Sequence, residues 1–272
     1  MKPLKNFNKA NLLKVWRHSA TQRSFIVTMR VLVIFAFFLI WEILANNDVI
    51  DAFLFSSPSR IWETIIFLFQ THSLWHHIWV TTREVLIGFT LATILGVIIA
   101  IAIYWSNYLT KILEPIIAVL NSIPRIAYVP LFIVWFGGGE RSTVAIVVAA
   151  CMFITILGTL NALMQVDKQK VKLMQSFGAS KWQVLTKLSI PSNLPNFFGI
   201  VNINLGIAWA GAIYGELFSS TAGLGYLIVL GQNVFNYSII MSSIIVICVV
   251  SSLMFVILGI IRRLVLRNKY TK

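Results

Sequence analysis

Six apolar stretches alternate along this chain with polar segments that hold nearly all of its charge. They run at about 29–45, 85–105, 112–136, 143–164, 196–218 and 239–261. A helix needs roughly 20 apolar residues to cross about 30 Å of hydrocarbon, and it satisfies its own backbone polar groups there. The pattern predicts an all-α membrane protein of six transmembrane helices. The first stretch is the shortest and carries Glu42 near its end, so its boundary is the least defined.

Two connections carry patterns of their own. In the segment 46–84, Ser57-Pro58 can open a helix, because proline is tolerated at the first helical position. Ile61, Ile65 and Leu68 then recur at helical spacing, which predicts a short interfacial helix anchored by Trp62, Trp75 and Trp79. The second, SSTAGLGYLIVLGQNVFNY, is glycine-rich and too broken for a full span. It is compatible with a re-entrant or gating element and with a plain surface loop.

Composition agrees with a membrane solvent. Of the 272 residues 58% are hydrophobic and 11% charged, with a mean hydropathy of +0.84; soluble proteins carry about 25% charged residues. The net charge of +13 does not imply nucleic acid, because the basic residues flank the spans, where they set topology and meet anionic headgroups. The N-terminal arm up to Arg30, the second-to-third link, the fourth-to-fifth link and the C-terminal tail together hold eighteen Lys and Arg; the opposite connections hold only Arg60, Arg83 and Arg141. The positive-inside rule then predicts a multi-pass cell-membrane protein with both termini and the 165–195 loop in the cytoplasm. The organisation is an arm (1–28), a transmembrane domain (29–261) and a tail (262–272). The first apolar stretch begins after about thirty residues with no small-x-small cleavage site, and is read as a retained span. Cys151 and Cys248 lie in apolar runs and read as small buried residues.

The 165–195 loop is the most informative segment. Asp167 can cap a short helix running to Phe177, with Val171, Met174 and Phe177 on one face. Gly178 suits the left-handed position that ends a helix. Ser180 and Gln183 form a capping box that starts a second helix bearing Trp182, Leu185 and Leu188, and Pro191 and Pro195 are expected to stop it. Two short helices meeting at a glycine make a knob with an apolar face and a lysine rim. It could dock a soluble partner or rest on the membrane as an amphipathic connector.

Here the chain resembles a family. Gly178, nine residues, then Leu188-Ser189-Ile190-Pro191 is similar to the "E-A-A, three residues, Gly, nine residues, I-x-L-P" loop of permease subunits of binding-protein-dependent ABC importers. SSPSRIWETI, NSIPRIAYVPLFIVWFGGGERS, GASKWQVLTKLSIPSNLP and GIAWAGAIYGELFSSTAGLGYLI resemble the subgroup for sulfonates, taurine, nitrate or bicarbonate, and thiamine- or riboflavin-related compounds. The resemblance implies a type I importer bundle whose 165–195 loop is a coupling helix, docked in a cleft of a cytoplasmic ATP-binding subunit. It implies docking by Gly178, Ala179, Ser180, Trp182, Leu185, Leu188 and Pro191, an extracytoplasmic solute-binding protein as second partner, and a second copy of the chain. In one respect the chain departs from the pattern. Lys172 stands where the family has glutamate, and Leu173 and Met174 where it has alanines, so no contact made by that carboxylate transfers.

No G-x-x-x-x-G-K-[ST] phosphate loop is present, and Gly137-Gly138-Gly139 lacks the following lysine. ATP and its magnesium therefore belong to the partner, and this chain needs no cofactor. Inside the spans, Arg125 stands beside Pro124 with Asn121 and Tyr128 near, on a helix loosened by Pro124 and Pro130. It is a candidate for the solute path, with a structural pair or an end-of-span contact as the alternative. Asn202 and Asn204 are further path candidates. Ala208, Gly211, Ala212 and Gly215 form a small-residue stripe, suited to a subunit or gate interface or to packing within one bundle. Glu216 reads as interfacial, and Glu84 with Arg83 as marking the water boundary. His72, His76 and His77 lack accompanying Cys or carboxylate ligands, and no metal site is expected. No catalytic constellation can be placed. The expected function is import of a small anionic solute, with an ion-gradient-driven transporter or channel as the alternative and a membrane-embedded enzyme as a third reading.

Overall fold

The computed structural model describes residues 9–71 and 73–270, so residues 1–8 of the arm, His72 and the last two residues of the tail lie outside the described residues. The chain divides into two units, Met1–Glu63 and Thr64–Lys272.

In the first unit, α1 (Lys9–Asn46) runs through the first apolar stretch, followed by α2 (Ala52–Phe55) and the start of α3 (Pro58–Gln70). Proline at the first position opens α3, as Ser57-Pro58 predicts. The Glu42 carboxylate accepts from the Ser59 backbone N–H at 3.0 Å and the Ser59 hydroxyl at 2.7 Å. It thereby supplies the acceptor that the first turn of α3 lacks.

The second unit holds α4 (Ser73–Tyr104), α5 (Asn107–Ser122), a 3₁₀ turn (Arg125–Tyr128), α6 (Val129–Phe136), α7 (Glu140–Met164), α8 (Lys168–Ser176), α9 (Lys181–Val184), α10 (Ile190–Ser219), α11 (Leu224–Asn233) and α12 (Tyr237–Tyr270). Five helices are long and apolar enough to cross a membrane; the α5–α6 pair, bent by 87°, makes a sixth. The expected all-α architecture with up to six spans is present among the described residues, and five of these spans belong to the second unit.

Its centre is the trio α4, α7 and α10, brought close by glycines. A Cβ on Gly88 would meet Val147, one on Gly96 would meet Thr155, and one on Gly215 would meet Thr143. The small-residue stripe of α10 therefore packs within the bundle: Ala208 and Ala212 are fully buried, and Gly211 lies over Val147. Cys151 is buried here, whereas Cys248 on α12 is exposed, contrary to its expected burial. Helix α12 is strongly apolar over its span and little of it is buried, so the face carrying Cys248 is one that hydrocarbon can cover.

Three boundaries differ from expectation. Helix α4 begins twelve residues before the apolar run, so Trp75 and Trp79 belong to it and not to α3. The third stretch breaks at 123–124, where Ile123 is forced into extended backbone ahead of Pro124. Pro191 and Pro195 do not stop a helix: Lys181–Ser219 is one continuous helical segment. A π turn over Leu185–Ser189, in which the Ile190 N–H reaches Leu185 O, shifts the hydrogen-bond register just before Pro191. Proline, which has no N–H to give, then falls in the first turn of α10, where a donor is not required.

Candidate functional site: the 165–195 knob and the polar groups of the bundle

The knob forms as its capping residues dictate. Asp167 accepts from the Gln169 N–H at 2.8 Å and starts α8. Gly178, at φ +80°, turns the chain in the left-handed region, and the Gly178 and Ala179 N–H groups bond back to Gln175 O and Met174 O. The capping box is complete: Ser180 Oγ accepts from Gln183 N–H at 3.3 Å, and Gln183 Oε1 accepts from Ser180 N–H at 2.8 Å.

The faces of the knob sort the candidate docking residues. Trp182 is 59% exposed and Phe177 81% exposed, while Gly178 and Ser180 also stand at the surface. Leu185, by contrast, is only 1% exposed, and Val184 beside it is buried. Leu185 cannot meet an external partner; buried at the start of the π turn, it anchors the knob. Ala179, Leu188 and Pro191 are half-buried. Trp182 packs against Trp105, in the turn between α4 and α5, with ring centroids 6.2 Å apart. A cavity of about 480 Å³ separates these elements, lined by Tyr104, Tyr108, Gln175 and Lys181 among others. Nothing in the sequence marks Trp105 as part of this face, since it closes a span 77 residues earlier.

The path candidates separate as well. Arg125 is half-buried at the 3₁₀ turn between the two halves of the bent span. With Pro124, Ile126, Gly206, Ile207, Ala210 and Tyr214 it lines a groove of about 280 Å³. Among the described residues it has neither a hydrogen-bond acceptor nor an ion-pair partner. Tyr128 is half-buried and its ring meets Phe132 edge-on at 5.5 Å; Asn121 is half-buried. Asn202 points out of α10, exposed and away from the trio. Asn204 is not a path residue: fully buried, it donates to Thr155 Oγ1 and ties α10 to α7, which explains a polar side chain in a span without any solute. Tyr214 carries no signal of its own in the sequence; only the bend of α5–α6 brings Arg125 across to it.

Glu84 and Glu216 also depart from expectation. Each is only 1% exposed, its side chain turned into the bundle, whereas the neighbouring Arg83 lies at the surface, paired with Glu140 at 3.1 Å. They sit beneath α11, which is packed into the bundle with Leu224 and Leu227 buried, so the glycine-rich segment is a short inserted helix and not a surface loop. Its N-terminal N–H groups are received by three side chains from other helices. His77 Nδ1 accepts from Gly223 at 2.9 Å, Thr81 Oγ1 from Leu224 at 2.8 Å, and Glu216 Oε2 from Gly225 at 2.5 Å. Among the described residues no group of three potential metal ligands gathers.

Comparison with known proteins places this architecture. Residues 92–270 match the binding-protein-dependent transport system inner membrane component. The chain belongs to that family. It is 25% identical over 244 residues to the taurine transport system permease protein of Escherichia coli, covering 88% of each chain. It is 31% identical over 187 residues to the formylaminopyrimidine transport permease protein of Halalkalibacterium halodurans, covering 69% of this chain and 74% of that one. Among solved structures, a bacterial alginate ABC transporter in complex with its pentasaccharide-bound periplasmic protein has a chain that matches with a TM-score of 0.63. That likeness, at 16% identity, covers 91% of this chain and 97% of that chain and shows the fold. The protein is thus a multi-pass permease subunit of an ABC importer, of the subgroup to which its motifs pointed, and not an enzyme.

Proposed function

We propose that this permease carries a small anionic solute, delivered by an extracytoplasmic binding protein, and that a separate ATPase drives it through the 165–195 knob. The observation that carries the reading is the knob itself. Its backbone is rigidly capped at Asp167, Gly178 and Ser180, its root is anchored by Leu185, and its aromatic tip of Phe177 and Trp182 is left exposed. A stiff lever rooted in a span is what transmits displacement from a docked partner. Because Lys181 begins a segment continuous to Ser219, movement of the tip is applied directly to α10.

Gly178, Ala179, Ser180, Trp182, Leu188 and Pro191 form the docking face, and Trp105 extends it. Both termini and the knob lie in the cytoplasm by the basic-residue count. Two ATP-binding subunits acting together call for two symmetric knobs, supplied by a second copy of this chain. The anion preference rests on Arg125: a guanidinium in an apolar groove, unmatched by any carboxylate among the described residues, favours a negatively charged occupant. Tyr214 and Tyr128 are the neighbouring path residues, with Asn121 and Asn202 at its margins.

Ion-gradient-driven transport would call for paired acidic groups inside the spans. Glu84 and Glu216 do form such a pair, but Glu84 lies about 30 Å of helix from the knob end of α4, and the family is one of ABC importers. The test is uptake and ATP hydrolysis by the reconstituted transporter carrying Phe177→Ala with Trp182→Ala. The proposal expects ATP hydrolysis no longer stimulated by loaded binding protein, with uptake lost. Uptake at the unmodified rate would overturn the docking role.

A further inference from the structure

The seat of α11 holds an excess of negative groups that the chain does not balance. Glu84 on α4 and Glu216 on α10 face each other within hydrogen-bonding reach, both removed from solvent. Neither oxygen of Glu84 has a donor, and neither does Glu216 Oε1. Glu216 Oε2 is served by the Gly225 N–H, with the Thr81 hydroxyl beside it. The other groups facing the site are already engaged: Arg83 on α4 pairs with Glu140 on α7, Thr81 receives the Leu224 N–H, and His77 receives the Gly223 N–H while its ring stacks on Tyr226 of α11.

Two carboxylates in contact and out of water cannot both remain ionised without a compensating positive species, since repulsion and desolvation act in the same direction. The backbone of α11 fits tightly against this pair. A Cβ at Gly223 would collide with the Glu216 carboxyl, and one at Gly225 would lie 2.9 Å from Oε2, so no side chain of α11 can reach in to neutralise the pair. We propose that Glu84 and Glu216 bind one small monovalent cation between their carboxyl groups, a proton or a sodium ion, and that this ion completes the seat of α11. As a proton, it makes one carboxyl a donor to the other, engaging one orphaned oxygen of each and halving the buried negative charge. As sodium, it takes the same oxygens as ligands, in keeping with a hard cation's preference for oxygen. Without it, the mutual repulsion of the pair pushes α4 and α10 apart and frees the Gly223–Gly225 backbone. The inference needs the bundle alone and stands whether or not the ATPase or the anionic solute is as proposed above.

The full-length chain in lipid nanodiscs decides it by two measurements on one preparation. In sodium-free buffer, infrared absorption reports a protonated carboxyl group. Thermal unfolding is then compared in sodium chloride and in N-methylglucamine chloride at equal ionic strength. Proton occupancy gives a protonated-carboxyl band that is lost in both Glu84→Gln and Glu216→Gln, with no sodium effect. Sodium occupancy gives an unfolding midpoint raised by sodium alone, and that rise is lost in both variants. If a glutamine variant does not fold, Glu84→Asp replaces it, because the shorter side chain shifts the band or weakens the sodium effect without removing the charge. A wild-type protein with neither the band nor the sodium effect, or with either surviving in both glutamine variants, overturns the proposal.

Discussion

Gly215→Ala measures how tightly α7 and α10 are pressed together. A Cβ added there lands 2.8 Å from Thr143 Cγ2 and 2.9 Å from both its Cα and its Oγ1. Carbon atoms prefer about 3.5–4.0 Å, so the two helices must part by roughly 0.6–1 Å to admit it. Because one of the obstructing atoms is backbone, no rotamer change relieves the clash. Overpacking of this kind costs about 1–3 kcal/mol, against a helix-propensity gain of about 0.5–1 kcal/mol from replacing glycine with alanine. The net loss is then up to about 2.5 kcal/mol, and each 1.4 kcal/mol is about tenfold in the unfolding equilibrium. Gly206→Ala is the control on the same helix: its Cβ meets only Phe255 Cζ, at 3.6 Å, so it keeps the propensity gain without the clash. Equilibrium unfolding of both variants in lipid–detergent micelles makes the comparison. If Gly215→Ala proves as stable as Gly206→Ala, the close approach of α7 and α10 is not what holds the bundle.

Thr81→Val removes the acceptor of the Leu224 N–H and leaves a buried donor orphaned, at about 1–3 kcal/mol. Hydrogen exchange should quicken at Leu224 and its neighbours in the first turn of α11 while the centre of α7 stays protected. Ser180→Ala breaks one half of the capping box, worth about 1 kcal/mol, and should raise exchange over 180–184 without lowering the stability of the bundle.

The chain announces much of itself because lipid and backbone chemistry are local constraints. Apolar length gives the spans, and basic flanks give an orientation. Asp167, Gly178, Ser180 and Gln183 cap the knob through partners no more than five residues away, so spacing alone reveals them. Local rules fail where a distant partner changes the meaning of a residue. Leu185 and Trp182 lie three apart and look equivalent on a helix face, yet tertiary packing buries one and leaves the other exposed. Asn204 resembles a path residue until Thr155 of α7 is seen beside it.

By itself, then, the order of residues determined the six apolar spans, the capped knob and the kinship with importer permeases, because each depends on neighbours in sequence. The tertiary structure alone decided that the stripe on α10 packs inward, that the glycine-rich segment is an inserted helix, and that Glu84 meets Glu216. Those two glutamates are 132 positions apart, and burial and charge contact depend on distance in space, which no local pattern records.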